Sequence, residues 1–207
     1  MIILSHRGYW KDQNEKNQAI AFNRSFSLGF GTETDFRDFQ GQLVISHDIA
    51  DANCVTADAF FRGYKQFNLS LPLALNIKAD GLQRQLKILL DQYQISNYFV
   101  FDMSIPDTIG YLKEGLNVFT RQSEYEQSLA FYKQAKGVWM DGFESEWMRE
   151  SDIELHLNAG KKVCLVSPDL HKRPYESFWN MLKSSQFIHN DQVMLCTDYP
   201  EQAREFF

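Results

Sequence analysis

Short runs rich in Val, Ile, Leu and Phe alternate with longer amphipathic stretches along the whole 207-residue chain, and this alternation restricts the fold more than any other feature. The apolar runs fall at 2–5, 30–36, 42–46, 71–77, 97–102, 116–120, 137–141, 161–166 and 192–197. Between most of them the spacing is helical, at 18–28, 56–66, 81–93, 106–114, 124–135, 146–158, 174–184 and 199–206. In LQRQLKILLDQY, for example, Leu82, Leu86, Leu89 and Leu90 share one stripe, as on a helix with one buried face. Strands separated by helices pair in parallel, because the crossover helix carries the chain back to the start of the next strand. With 42–46 taken as a hairpin arm after the second strand, eight strands and eight helices remain. That is the content of a single (β/α)8 TIM-type barrel with a β-hairpin extension, in the α/β class; an open doubly wound sheet has the same local pattern. No linker, low-complexity tract or short repeat interrupts the alternation, so one domain spanning 1–207 is expected.

The formal net charge of -6 and the lack of a dense Lys/Arg run disfavour nucleic acid as a partner, since holding many phosphates needs a basic face. Cys54, Cys164 and Cys196 are odd in number and far apart, and the last two lie in strand-like apolar runs. Buried structural thiols in a reducing compartment are expected, with no zinc-type spacing. The opening MIILSHRG has no signal-peptide character, and no apolar run approaches the ~20 residues of a membrane span. A cytoplasmic protein without an integral membrane segment is expected; oligomeric state is left open.

Polar residues gather where each apolar run ends: Ser5, His6 and Arg7, then Glu33 and Asp35, His47 and Asp48, Asn76 and Lys78, Asp102, Thr120 and Arg121, Asp141, Ser167 to Arg173, and Thr197 and Asp198. In a parallel barrel these ends open onto one face, where active sites are built. Glu33 and Asp35 are two apart on a strand and so share a face. Two neighbouring carboxylates repel unless a cation lies between them or water solvates both, and a hard divalent ion, Mg²⁺ or Ca²⁺, suits the pair. Gln40 and Gly41 form a natural two-residue turn. Strand partners around it would have numbers summing to 81, which sets Asp48 opposite Glu33 and His47 beside it, while a longer loop would shift the register by one; in either register His47 returns to the carboxylate pair. His6 and His47 could then supply one general base and one general acid. His156 and His189 are assigned structural or surface roles.

These residues resemble the glycerophosphodiester phosphodiesterases, within the wider group that includes phosphatidylinositol-specific phospholipase C. The family opens with His-Arg-Gly after the first strand, here His6, Arg7 and Gly8. A loose version of its Glu-Asn-Thr-x-x-Ala-Phe stretch runs from Glu15 to Phe22, followed by Gly29 through Glu33 to Asp35, and Val44 through His47 to Asp48. Further on, Asn76-Ile77-Lys78 falls where the family has Glu-x-Lys, and Thr197-Asp198-Tyr199-Pro200 resembles its closing Thr-Asp-x-Pro. The resemblance implies a metal-dependent phosphodiester hydrolase on a (β/α)8 barrel. Its metal would be held by Glu33, Asp35 and Asn76, with His6 and His47 as base and acid, and Arg7 and Lys78 on the phosphate. Similar enzymes attack phosphorus with a neighbouring substrate hydroxyl and pass through a cyclic phosphodiester.

The chain departs from the family in ways that bear on chemistry. Asn76 stands where a third carboxylate is usual, which removes one negative charge and leaves Asp102 or Asp141 to compensate. There is no room for the insertion that recognises glycerol in many members, so a small or sugar-linked phosphodiester is the expected substrate. Arg121, His171 and Lys172 would bind a second phosphate or an acidic sugar, against the plainer reading of solvated loops. Tyr9, Trp10, Trp139 and Trp147 could stack on a sugar, although aromatics are more often core. The rival function is a catalytically silent barrel that binds a phosphorylated ligand.

Overall fold

The computed structural model describes residues 1–67 and 70–207. By internal contacts the chain gathers into two compact units, Ser5–Val118 on the one hand and Met1–Leu4 with Phe119–Phe207 on the other.

The first unit takes in the end of β1 (Ile2–His6), then α1 (Ala19–Ser27), β2 (Gly31–Phe39), β3 (Gln42–Ile45), β4 (Val55–Thr56), α2 (Ala57–Gln66), β5 (Leu73–Ile77), α3 (Gln83–Gln92), β6 (Tyr98–Phe101) and α4 (Ile105–Lys113). Parallel pairing sets β2 beside β5, from Thr32↔Leu73 to Phe36↔Ile77, and β5 beside β6, from Leu73↔Tyr98 to Asn76↔Phe101. Local chemistry starts the helices where the spacing predicts. Thr56 Oγ1 accepts the Ala59 N–H at 3.2 Å to cap α2, and Ser104 caps α4, whose Pro106 lies in the first turn where no N–H is needed. The helices lay aromatic rings on the sheet. Phe60 of α2, 2% exposed, packs against Phe22, Phe26, Phe36 and Phe61, with the Phe22 ring edge-on at 4.7 Å.

The hairpin register is the one its turn dictates. Gln40 and Gly41 are both left-handed, with φ of 49° and 80°, the backbone of a tight two-residue hairpin. Phe36↔Ile45 through Phe39↔Gln42 follow, each pair summing to 81. The ladder ends there, so the expectation that it continues to place Asp48 opposite Glu33 is corrected. Ser46 still donates its N–H to the Asp35 carbonyl at 3.0 Å, but its hydroxyl bonds the Asp48 carbonyl at 2.9 Å and turns the chain outward. Earlier along β2 the neighbour is the segment around Ser5, whose hydroxyl reaches the Gly31 carbonyl at 3.4 Å.

The second unit runs through β7 (Phe119–Gln122), β8 (Gly137–Met140), α5 (Glu150–Asn158), β9 (Lys162–Val166), α6 (Glu176–Ser184), β10 (Val193–Thr197) and α7 (Pro200–Phe206). The four strands pair in parallel in that order. Two expectations fail here. The strand sought at 116–120 lies at Phe119–Gln122, and the helix sought at 124–135 is absent among the described residues, which carry seven α-helices. Phe131 is left-handed, with φ of 55°. Glu124, placed to start that helix, instead accepts N–H groups from Phe143, Glu144 and Ser145. His156 is buried between Tyr132 Oη (2.9 Å) and Gln122 Oε1 (2.7 Å), a structural role as expected. Cys164 and Cys196 are buried, as expected of them. No described helix is long and apolar enough to cross a membrane.

Replacing Phe60 with alanine opens a void among four rings, and we expect a loss of about 3–5 kcal/mol of unfolding free energy in urea. A loss under 1 kcal/mol would mean that the aromatic cluster collapses around the gap.

Candidate active site at the strand ends of the Ser5–Val118 unit

The site begins with the turn that ends β1. Arg7 and Gly8 are both left-handed, with φ of 57° and 78°. Gly8 has no substitute here, because a Cβ would lie 2.9 Å from the backbone carbon and Cβ of Ala21 on α1. This close turn is pinned at both ends: the Arg7 N–H donates to Glu33 Oε2 at 3.1 Å, and the Arg7 carbonyl accepts the Asn17 N–H at 3.0 Å.

Glu33 and Asp35 share one face of β2, as the two-residue period requires, and both are buried, at 1% and 0% exposure. Asp35 is the hub. Its Oδ2 accepts the Asn17 side-chain amide at 2.8 Å and lies 3.0 Å from Arg7 Nε, while Lys78 Nζ lies 3.6 Å from its Oδ1. The Arg7 contact is one of charge without hydrogen-bond alignment, since Arg7 Nε has no hydrogen-bond partner. Asn17 is the residue that sequence reasoning missed. Its amide oxygen accepts the Thr34 hydroxyl at 2.9 Å, so one side chain ties Asp35 to its neighbour. Its signal was its place in the Glu15–Phe22 stretch. His6 Nε2 stands 3.9 Å from Glu33 Oε2, and Lys78 Nζ stands 3.9 Å from Asp102 Oδ2.

Burial, followed by the charge on Asp35, pushes the Glu33 carboxyl up to about 7, against the opposing pull of His6, Arg7 and Lys78. Among these residues, two buried oxygens have no hydrogen-bond partner: Asp35 Oδ1 and Asn76 Oδ1. They belong to residues directly paired across β2 and β5. Unsatisfied buried acceptors are costly, and these two with the Glu33 carboxylate form an all-oxygen donor set suited to Mg²⁺ or Ca²⁺, with water or substrate completing the shell. Among the described residues no three His, Cys, Asp or Glu side chains gather as a metal cluster, so this fit depends on the amide of Asn76.

His6, Arg7, Glu33, Asp35, Asn76 and Lys78 are thus brought together. His47 stands apart from them. Its side chain is 43% exposed, Nδ1 lies 2.9 Å from Asp48 Oδ1, and its carbonyl accepts Arg37 Nη2 at 3.2 Å. The Asp48 carboxyl is held below its ordinary range by His47 first, with smaller contributions from Arg7 and Arg37, so the field of Arg7 reaches this loop.

The remaining candidates belong to the second unit, which forms its own cluster. Arg121 grips Glu126 through Nε (2.5 Å) and Nη2 (3.2 Å). His171 Nε2 lies 2.7 Å from Asp141 Oδ1, and its ring packs against Phe143 at 5.1 Å. Both expected phosphate contacts therefore carry a carboxylate already. Lys172 is exposed at a left-handed position, with φ of 58°. Trp147 Nε1 donates to the Asp141 carbonyl at 2.8 Å and Trp139 is buried. In the first unit Tyr9 packs on Phe30, and Trp10 lies under Lys16.

Glu33 binds its proton more tightly folded than unfolded, so in metal-free buffer the folded chain holds more protons between the ordinary glutamate value and about 7. Stability should therefore be highest below that window and fall as pH rises through it, by roughly 3 kcal/mol for the buried group. Urea melts of Glu33→Gln should lose most of this slope; an unchanged slope would assign it to another group.

No family model matches the sequence, and no curated protein matches it significantly. Solved structures do match, over essentially the full chain. A glycerophosphodiester phosphodiesterase from Agrobacterium tumefaciens superposes with a TM-score of 0.74 at 14% identity, covering 99% of both chains. An Oleispira antarctica phosphodiesterase, solved in complex with the product sn-glycerol-3-phosphate, gives 0.71 at 15% identity over 100% of this chain and 96% of that one. A glycerophosphodiester phosphodiesterase from Thermotoga maritima gives 0.63 at 14%, over 99% and 98%. The expected α/β architecture, parallel strands with a β-hairpin after the second, is thus that of the TIM-barrel phosphodiesterases. At this identity the likeness is one of fold: the chain has the fold of the glycerophosphodiester phosphodiesterases.

Proposed function

We propose that this chain is a metal-dependent phosphodiester hydrolase of the glycerophosphodiester phosphodiesterase type. The observation that carries the reading is the pair of buried oxygens that accept no hydrogen bond, Asp35 Oδ1 and Asn76 Oδ1, beside Glu33 and flanked by Arg7 and Lys78. An uncharged amide in place of a third carboxylate weakens the hold on the ion without abolishing it, so a divalent metal, Mg²⁺ or Ca²⁺, would bind through Glu33, Asp35 and Asn76. When bound, such an ion supplies Lewis-acid polarisation of a phosphoryl oxygen.

The chain's own groups account for the rest. Negative charge builds on the equatorial oxygens as phosphorus is attacked, and Arg7 and Lys78 would stabilise it from fixed positions. His6, beside the Glu33 carboxylate, would exchange a proton with the attacking or departing oxygen. His47 would complete the pair as the second acid–base group, its ring oriented by Asp48. For that its loop must bring the imidazole over the substrate, and its 43% exposure leaves room for movement. The substrate class is a small or sugar-linked phosphodiester. The product complex of the Oleispira enzyme adds glycerophosphodiesters to the compounds worth assaying. We further propose one domain over 1–207, with Arg121, His171 and Lys172 as anion-binding groups of the second unit.

Hydrolysis of bis(p-nitrophenyl) phosphate with Mg²⁺, Ca²⁺ or Mn²⁺ tests this reading. EDTA should stop turnover, and His6→Ala and Glu33→Ala should each lower kcat by about 100-fold or more. Equal turnover with and without EDTA would remove the metal from the account. A second reading, a silent barrel that binds a phosphorylated ligand, draws on the exposed His47 and on Asn76. Phosphate binding by calorimetry, with no hydrolysis of this or any glycerophosphodiester, would favour it.

A further inference from the structure

Lys78 occupies an unusual position. Its backbone is fixed by an N–H bond to the Phe36 carbonyl at 2.8 Å. Its ammonium lies 3.6 Å from Asp35 Oδ1 and 3.9 Å from Asp102 Oδ2, beyond the ~2.7–3.2 Å of a hydrogen bond in both directions. An ammonium facing one buried carboxylate alone would close onto it, because a contact ion pair is favoured where water is scarce. This one is suspended between two.

The backbone of Asp102 is what makes the second pull available. Phe101 is the register partner of Asn76, so ordinary strand alternation would turn the next residue away from the Asn76 face. Asp102 is instead left-handed, with φ of 68°, a conformation that Asp and Asn tolerate better than most residues. Its carboxylate comes back within reach of Lys78, and at 16% side-chain exposure it is only partly screened by solvent. Left-handed non-glycine residues persist where surrounding structure holds them, often at functional sites.

We propose that Asp102 is a positioning residue that holds Lys78 off Asp35 Oδ1. The consequence rests on the phosphodiesterase reading: Oδ1, which accepts no hydrogen bond, is kept open to a divalent ion instead of being occupied by a direct hydrogen bond from Lys78. Asp102 also returns to the strand ends the negative charge that Asn76 does not supply. With Glu33, Asp35 and Asp102 ionised, Arg7 and Lys78 charged and one divalent ion bound, the cluster carries a single positive charge, the complement of one phosphodiester anion.

Two measurements on Asp102→Asn, which retains the left-handed backbone preference, test this; Asp102→Gly serves if the first variant folds poorly. In metal-free crystals of the variant, Lys78 Nζ should close to about 3 Å from Asp35 Oδ1; a separation unchanged from that of wild type overturns the proposal. In calorimetric titrations with Mn²⁺, Asp102→Asn should weaken binding about tenfold, yet have little effect in a Lys78→Met background, because Asp102 acts through Lys78. Equal losses in both backgrounds would make Asp102 a direct ligand and overturn the positioning role. If wild type binds no divalent ion while Lys78 still moves in the variant, the metal reading fails and the positioning role stands.

Discussion

A carboxylate sealed at the heart of a strand-end cluster has to be neutralised by its surroundings, and Asp35 organises its neighbourhood accordingly. With no exposed surface, it draws Arg7 to one oxygen and Lys78 toward the other, and it takes the Asn17 amide to anchor the loop before α1. The left-handed Arg7 turn, the tight approach of Gly8 to Ala21 and the clamp of Asn17 on Thr34 all serve to deliver those partners. Glu33, two residues away on the same face, cannot also be ionised cheaply in that setting, and its raised titration follows from burial and from Asp35. Such a pair is poised to change state when a cation arrives.

The aromatic layer behind β2 provides the rigidity that this arrangement needs. Phe22 and Phe26 of α1 and Phe60 and Phe61 of α2 pack with Phe36, the residue after Asp35. Opposite faces of one strand thus carry the dry packing and the buried charge. Displacing β2 would disturb both, which ties the precision of the site to the packing of the core.

Much of this was legible in the residues. Period-two alternation placed Glu33 and Asp35 on one face, and Gln40 and Gly41 set the hairpin register from Phe36↔Ile45 to Phe39↔Gln42. Legibility ended where local patterns met long-range competition. The ladder could not extend to Asp48, because Ser46 turns the chain outward while the Ser5 segment flanks the start of β2; His47 accordingly lies apart from the carboxylates. Apolar spacing over 124–135 resembled a helix, but Leu129 and Tyr132 reach the core from irregular chain and a turn, while Glu124 bonds backbone amides some twenty residues away. Asn17 and Asp102 were hard to read for a related reason: each acts through a left-handed backbone that side-chain patterning does not reveal.

The most direct test of the central claim is the anomalous diffraction of crystals soaked in Mn²⁺. A single strong peak within coordination distance of Glu33, Asp35 Oδ1 and Asn76 Oδ1, lost in Asp35→Asn, is the predicted result. A map with no peak there, or with manganese bound elsewhere and unaffected by that substitution, would contradict it and leave Asp35 as a purely internal counter-ion for Arg7 and Lys78.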